Sequence, residues 1–333
     1  MEIKGEAMGR RNDHTMRNHL VVRSDPVPGE SMIGYLRRLC IANGYDTLQW
    51  IFDKKIRFPE EIFVEENMWR IANTTRSDCK IIRRNSYCII GEKERAINFH
   101  GFVIDRNRID LRYLNICPDC LRENPIFKSV WDLVDYTACP EHGTNIVNRC
   151  PACGGFLSWM RASNTCECGM VEYDDYFTGM SSENEVACAK HISFLFGGKI
   201  ATETVQQISE NVKMLSLEDF LYCINRLYTI PVLEEKDNYI VKAERLFPNR
   251  KLCVSHSMVI LMDWPAKFYE HIENVSEFII RYGGINKIKR MQDRRFLLVS
   301  FLGMMDGVAG MIDGSKEVFD KVWFYVNKGN KLL

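Results

Sequence analysis

Four close pairs of cysteine and histidine residues in the middle of the chain have the residue types and spacing of metal ligands. They are Cys117 with Cys120, Cys139 with His142, Cys150 with Cys153, and Cys166 with Cys168. Thiolate and imidazole groups bind Zn²⁺ tetrahedrally, and eight such ligands complete two sites without an open position for a catalytic water. The sequence therefore predicts two structural zinc ions.

The residues around the ligands repeat one local pattern. Proline follows the first ligand of three pairs, and glycine follows the second ligand of three pairs. Proline restricts φ at the start of a turn, whereas glycine can adopt positive φ where the chain turns back toward the sulfur atoms. We expect this positive φ at Gly143, Gly154 and Gly169.

The order of the ligands allows two ways of sharing them between the ions. In a sequential arrangement the first four bind one ion and the last four bind the other, whereas a cross-brace joins the first pair to the third and the second to the fourth. RING ubiquitin-ligase modules have the same order of cysteine and histidine, but the seven residues between His142 and Cys150 and the final Cys-x-Cys pair disfavour a RING. A disulfide cluster is disfavoured because no apolar signal segment opens the chain.

The composition predicts a globular chain with no overall electrostatic attraction for nucleic acid. Its 333 residues, of which 46% are hydrophobic, suffice for two or three compact domains. Basic and acidic residues number 44 each, so any contact with nucleic acid must come from a local patch. The most apolar run, residues 296–312, is shorter than the roughly 20 residues of a membrane span. It indicates a pair of buried helices.

Hydrophobic periodicity predicts a mainly α fold around a small zinc-ribbon or knuckle module. We expect a flexible tail over residues 1–24, an N-terminal helix-turn-helix-like domain over 25–115, the two-zinc module over 116–175, and a helical C-terminal domain over 180–333. In the N-terminal domain, one helix begins near Ser31 and ends at Gly44, and a second begins at Asp46.

Several hydrophobic residues outside the ligand pairs are candidates for the core. They are Trp69, Ile71, Ile81, Ile82, Trp131 and Trp159.

Cys188 and His191 have the spacing of a further ligand pair, but no second pair accompanies them. We therefore predict that they are ordinary helix residues and not metal ligands.

Basic residues in three regions are candidates for phosphate contacts. Arg37 and Arg38 lie in the first helix, and the segment from Arg281 to Arg295 is the densest positive run of the chain. The nucleic-acid candidates in that segment are Lys287, Lys289, Arg290, Arg294 and Arg295. A weaker strip consists of Arg76, Lys80, Arg83, Arg84, Arg106, Arg108 and Arg112. No phosphate-binding glycine loop, nucleophile elbow or catalytic Cys-His-acid order is present, so the sequence predicts no enzyme.

The ordered combination of these motifs resembles the TniQ family, which includes TnsD and consists of target-selection proteins of transposons. The resemblance covers about residues 25–170 and is weak beyond residue 180. It is carried by the segment Pro26-Val27-Pro28-Gly29-Glu30-Ser31, by the helix through Leu36, Arg37, Leu39, Ala42 and Asn43, by Trp131-x-Leu133, and by the four ligand pairs with their prolines and glycines.

The resemblance implies a non-enzymatic role in marking an insertion site and recruiting the transposon's AAA+ ATPase regulator and transposase. Some family members read a DNA site directly, and others dock on a CRISPR effector complex whose guide RNA has already read the target DNA. Because this chain is short and electrically balanced, the RNA-guided adaptor is the favoured expectation and the direct DNA reader is the alternative. The resemblance also implies a homodimer and room for a second helix-turn-helix in the helical C-terminal region. The short apolar run predicts no membrane contact, and we expect a bacterial cytoplasmic protein that associates with the nucleoid when engaged.

Overall fold

A computed structural model describes residues 20–52, 55–90, 95–162, 166–170, 178–197, 208–234, 240–285, 287–289 and 291–313. Helices dominate both ends of the described chain, whereas the middle consists largely of turns and isolated bridges. The α-helices are α1 (Met32–Ala42), α2 (Glu65–Thr75), α3 (Cys79–Arg84), α4 (Pro118–Glu123), α5 (Glu183–Leu195), α6 (Glu210–Lys213), α7 (Leu217–Leu227), α8 (Arg250–Met262), α9 (Ala266–Tyr282) and α10 (Met291–Asp313).

The strands form two small antiparallel sheets. The first sheet has the order β1 (Ile89–Ile90), β2 (Ala96–Phe99) and β3 (Phe102–Asp105), with Phe99 opposite Phe102 at the hairpin end. The second is the hairpin of β4 (Thr229–Glu234) and β5 (Ile240–Arg245). Short 3-10 helices lie at Leu48–Ile51, Pro59–Phe63, Arg106–Arg108 and Ser129–Asp132.

Helix α1 begins where the sequence predicts and packs directly on the middle of the chain. The Ser31 hydroxyl caps it by accepting a hydrogen bond from the Gly34 amide at 3.0 Å. The Ser31 amide itself donates to the carbonyl of Phe127 at 2.8 Å, and the Ser129 amide donates to Gly29 at 2.8 Å. The N-terminal helix and the metal-ligand region are therefore one packed unit.

The predicted second helix after α1 is instead a 3-10 helix of four residues, Leu48–Ile51. Its start is tied to the metal-ligand region, because the Leu48 amide donates to Met160 and the Ala162 amide donates to Asp46, both at 3.0 Å. The segment ends at Phe52, whose backbone is extended with φ of -114° and ψ of 141°. The α-helical pair expected at residues 31–52 is thus absent from this described stretch.

Helices α2 and α3 are joined by only three residues. Arg76 adopts the left-handed conformation with φ of 55°, and the Asp78 side chain caps α3 by accepting from the Lys80 amide. Ile71 and Ile82 are fully buried, as predicted. Trp69 and Ile81 were wrongly predicted as core residues, because they lie on the outer faces of their helices and are 65% and 37% exposed.

The C-terminal part packs α5, α7, α8, α9 and α10 around a continuous apolar core. Residues 296–312 lie in one 23-residue helix, α10, and not in the predicted helix pair. By length and composition, Gln292–Asp313 is the one described helix that could cross a membrane, and 44% of that window is buried. Its side chains at Leu297, Phe301 and Met305 are fully buried, which is typical of a core helix.

Helices α6 and α7 are also joined by three residues and are followed by the β4–β5 hairpin. One face of α7 packs against α10. The Tyr222 hydroxyl lies next to Gly307, and Arg226 contacts Met304. The first turn of α7 is acidic, with Glu218 and Asp219. This helix therefore offers little basic surface to a DNA groove.

A buried ionic network joins the two ends of the chain through the middle. Asp135 is fully buried, and its two carboxylate oxygens lie 3.2 Å from Arg108 and 3.4 Å from Arg250. Both guanidinium groups also donate to the Tyr228 hydroxyl. Removing one partner would leave a buried charge uncompensated, so these contacts fix the relative positions of the segments that contribute them.

The predicted tail over residues 1–24 lies largely outside the described residues. Within its last part, Leu20 is buried and its amide donates to the carbonyl of Thr74 at 3.2 Å.

Replacing Gly34 by alanine should destabilise the protein, because a Cβ there would lie 2.4 Å from the Cβ of Phe127. We expect a loss of about 1–3 kcal/mol, typical of overpacking. Gly303→Ala is the control, since nothing lies within 4 Å of that Cβ, and it should stabilise α10 by about 0.5–1 kcal/mol. Denaturant unfolding of the metal-loaded protein measures both changes, and equal stabilities would contradict the close packing of α1.

Candidate metal centre

The first four ligand candidates converge at one point between α4 and the following loop. The ligand atoms of Cys117, Cys120, Cys139 and His142 all lie within 4.8 Å of one another. The His142 Nδ1 atom is 3.4 to 3.6 Å from each of the three sulfur atoms, and the Cys120 and Cys139 sulfurs are 3.5 Å apart. A tetrahedron with Zn–S bonds of about 2.3 Å has edges of about 3.7 Å. The group therefore has the size of a zinc site.

The last four candidates form a second group nearer the surface. Their ligand atoms also lie within 4.8 Å of one another, with sulfur–sulfur distances of 3.7 Å from Cys150 to Cys168 and 3.6 Å from Cys153 to Cys166. The grouping is sequential in the chain, unlike the cross-brace of a RING module. Together the two groups can hold two metal ions such as zinc.

The turns at the ligand pairs confirm the predicted backbone conformations. Gly143, Gly154 and Gly169 have φ of 66°, 70° and 90°. In two of these turns the amide of the first cysteine donates to the carbonyl five residues later. The two bonds run from Cys139 to Thr144 at 2.7 Å and from Cys150 to Gly155 at 2.8 Å. The positive φ lets the chain reverse within this ring and brings the second ligand beside the first.

Local hydrogen bonds favour the thiolate form that a metal requires. Although desolvation opposes it, backbone amides of Cys153 and Ala152 lower the pKa of the Cys150 thiol to about 7. Hydrogen bonds with Cys120 and Cys139 likewise lower the pKa of Cys117. At Cys120 and Cys139 the opposite holds, because contacts with the Cys117 thiol and burial raise the thiol pKa, so a metal that binds there must displace their protons.

A carboxylate outside the first group orients its histidine. The Nε2 atom of His142 lies 3.0 Å from a Glu123 oxygen, while Nδ1 faces the three sulfurs. Nε2 can donate to this carboxylate, which leaves Nδ1 free to coordinate, the usual arrangement for a ligating histidine. On the other side, the Lys128 ammonium lies 3.5 Å from the Cys120 sulfur and is paired with Glu141. Sequence reasoning missed Glu123 and Lys128, because they lie outside the ligand pairs.

Both predicted tryptophans of this region belong to the core. Trp131 and Trp159 are 1% and 8% exposed, and Trp131 packs edge-on against Phe127. Cys188 and His191 are buried on α5 and belong to neither ligand group. Burial lowers the pKa of His191 to about 4, so its imidazole is neutral in the core.

Comparison with known families identifies the first part of the chain. Residues 21–146 match the family model described as TniQ. The chain carries a TniQ domain. Less than half of the chain is covered by this match, which includes α1 and the first ligand group and ends before Cys150. No curated protein matches the chain. A TniQ domain implies a target-selection protein of DNA transposition.

Arg37 and Arg38, the basic candidates inside the TniQ domain, have internal roles. Arg37 is fully buried, donates to the Ser158 carbonyl at 2.8 Å, and lies over the Phe127 ring. The Arg37 guanidinium does not reach solvent in this structure, and its predicted contact with phosphate stays a prediction. Arg38 forms two bonds, 2.7 and 2.8 Å, with the buried Glu30 carboxylate and further bonds to Ser24 and Asp25. It holds the segment before α1 in place.

The basic segment between α9 and α10 divides into internal and exposed residues. The Arg294 guanidinium donates to the carbonyls of Ile280 and Ile288 and links the two helices, and its predicted contact with phosphate stays a prediction. Lys287, Lys289 and Arg295 are exposed. Arg290 lies outside the described residues.

Zinc analysis of the purified protein should give two equivalents, and Cys150→Ser should give one. Removing one thiolate leaves three ligands, so the second group should lose its ion. The protein should also become less stable, because the free energy of metal binding in such sites, on the order of 10 kcal/mol, is also free energy of folding. Elemental analysis and the unfolding profile measure the two effects. Cys223→Ser, at a buried cysteine outside both groups, is the control and should retain both ions. Two ions in Cys150→Ser would contradict the ligand assignment.

Glu123→Ala should weaken metal binding at the first group of the TniQ domain about 10- to 100-fold, because His142 loses the carboxylate that orients it. Glu210→Ala, an exposed glutamate on α6, should leave the affinity unchanged. Competition with a chromophoric chelator gives the affinity of each site. If the two variants released zinc at the same chelator concentration, Glu123 would have no role in orienting the ligand.

Proposed function

We propose that the protein is a non-enzymatic adaptor of DNA transposition, with one structural Zn²⁺ in each ligand group. In this role it links a target-recognition complex, a CRISPR effector with its guide RNA and target DNA, to the transposon ATPase regulator and transposase. The TniQ domain supports the assignment to target selection. The adaptor role is the finer step, and the observation that carries it is the use of basic residues inside the fold.

The surface chemistry supports an adaptor over a protein that reads DNA directly. Arg37, Arg38 and Arg294 are taken up by internal contacts, and the formal net charge of the chain is zero. Direct readers need basic residues free to contact phosphates. By contrast, Trp50, Phe58 and Trp69 are 64 to 66% exposed. Exposed aromatic residues of this kind are enriched in protein–protein interfaces.

A direct DNA reader is the second candidate, because exposed basic residues remain on α3 and around the start of α10. Lys80, Arg83 and Arg84 are exposed on α3, which follows α2 after a turn of three residues. In such a helix pair the second helix contacts DNA. In this alternative α2 and α3 would be the helix-turn-helix of the domain. Arg83 is already paired with Glu65, however, which reduces the free charge.

Further parts of the proposal rest on the sequence alone. They are a homodimer, a site of action in the bacterial cytoplasm at the nucleoid, and no contact with a membrane. In this assignment α10 is a core helix, consistent with its buried side chains.

Purification of the tagged protein from a host with its native gene neighbourhood tests the adaptor role. We expect a discrete short RNA and effector subunits to accompany the protein, and RNase should release them. Trp69→Ala should reduce the recovered effector while zinc content stays at the native value. Met214→Ala, which removes another exposed hydrophobic side chain, is the matched control.

Enrichment of one duplex DNA sequence that resists RNase would contradict the adaptor and favour the direct reader. In that case, replacing Lys80 and Arg84 by glutamate should abolish the enrichment, whereas Trp69→Ala should not.

A further inference from the structure

A cleft of about 530 Å³ separates the TniQ domain from the beginning of the C-terminal helical part. Its lining comes from the Pro59–Phe63 helix and the first sheet, from residues 106–112, and from Arg245 and Arg250 of the C-terminal part. Its volume lies in the range of specific binding sites. The cleft is distinct from both ligand groups, because no candidate zinc ligand lines it.

The TniQ-domain side of the cleft includes accessible apolar side chains. Phe63 and Leu111 line it, and Val64 and Ile89 at its edge are 45% and 48% exposed. Exposed aliphatic side chains beside a concave surface gain free energy when a partner covers them, about 25 cal/mol per Å² of apolar area. This side fits apolar side chains of a ligand.

Four arginines from distant parts of the sequence line the same cleft. Two of them are engaged: Arg112 forms a bidentate pair with Asp110, at 2.9 and 2.6 Å, and Arg250 belongs to the buried network of Asp135. Arg106 and Arg245 are exposed, and neither has a recorded ion pair within the described part of the chain. These two guanidinium groups can therefore pair with anionic groups of a ligand.

Acidic residues in the cleft decide which anionic ligand fits. Glu60 and Glu65 are exposed on the TniQ-domain side, and only Glu65 has a recorded basic partner, Arg83, among the described residues. A phosphodiester chain carries one charge at every nucleotide, so it would meet the Glu60 carboxylate as well as the arginines. A peptide can instead place carboxylates beside Arg106 and Arg245 and apolar side chains beside Val64 and Ile89, which suits this mixed surface.

We propose that this cleft binds an extended acidic segment of a partner protein, with carboxylates paired to Arg106 and Arg245 and apolar side chains against Val64 and Ile89. The proposal rests on the adaptor role and names the chemistry of one partner. Because the arginine pair spans the TniQ domain and the C-terminal part, a bound peptide contacts both.

Selection from a displayed library of random peptides on the full-length, zinc-loaded protein tests this proposal. Counter-selection uses the double variant Arg106→Glu and Arg245→Glu, whose zinc content and unfolding profile must match the parent protein. We expect enriched peptides that alternate acidic and apolar residues. An enriched peptide, fluorescently labelled, should bind at least about tenfold more weakly to the double variant, and its affinity should fall with added salt.

Two controls separate this cleft from general electrostatic attraction. Lysine at both arginine positions should retain most of the binding, and Lys287→Glu with Arg295→Glu, two exposed charges outside the cleft, should not change it. A short labelled oligo-dT or oligo-U should bind the parent and the double variant equally. Basic peptides, no enrichment over the double variant, or an oligonucleotide that competes with the peptide would overturn the proposal.

This test is independent of the adaptor experiment. If effector subunits accompany the protein but no acidic peptide is selected, the adaptor role stands and the cleft proposal fails. If acidic peptides bind and only RNase-resistant duplex DNA accompanies the protein, the peptide site stands and the adaptor role fails.

Discussion

The convergence of two groups of ligand atoms is the constraint on which the middle of the protein depends. From Cys117 to Met170 the described chain has only α4 and one short 3-10 helix as helical elements, and it is otherwise held by turns and isolated bridges. Such a segment buries too little apolar surface to fold alone. Metal coordination can order it together with the packing of buried side chains such as Trp131 and Leu133, and the separations of the ligand atoms suit that role.

Both ends of the protein are attached to this middle segment, so its order is transmitted outward. On the N-terminal side, Arg37 and the amides of Ser31 and Leu48 bind backbone groups of residues 127–160. On the C-terminal side, Asp135 holds Arg250 and, with it, the start of α8. A buried ion pair is poor evidence of net stability, but loss of one partner is costly, and such pairs specify one arrangement over others. The TniQ domain and the helical part are therefore joined through the ligand region.

The same contacts engage three arginines that the sequence offers as phosphate contacts. Three of the arginines with the most suggestive positions in the sequence satisfy buried carbonyls or a buried carboxylate. An arginine used in this way has lost its freedom to reach a phosphate, since its five donors lie in one rigid plane. What the surface retains are scattered charges of both signs, several exposed aromatic residues, and one cleft lined by arginines and apolar side chains. These are features of protein–protein recognition.

Local rules account for what the sequence by itself determined. The ligand pairs, the positive φ of Gly143, Gly154 and Gly169, and the start of α1 at Ser31 all depend on groups within about five residues of one another, and each was predicted correctly. The family resemblance was equally readable, because it is carried by these local motifs. Only the tertiary structure decided which four ligands share an ion, whether residues 46–52 form an α-helix, and which side of α2 faces water. Arg37 shows the reason: its partner Ser158 lies 121 residues away. No local pattern distinguishes an arginine that will be buried against such a carbonyl from one that will face solvent.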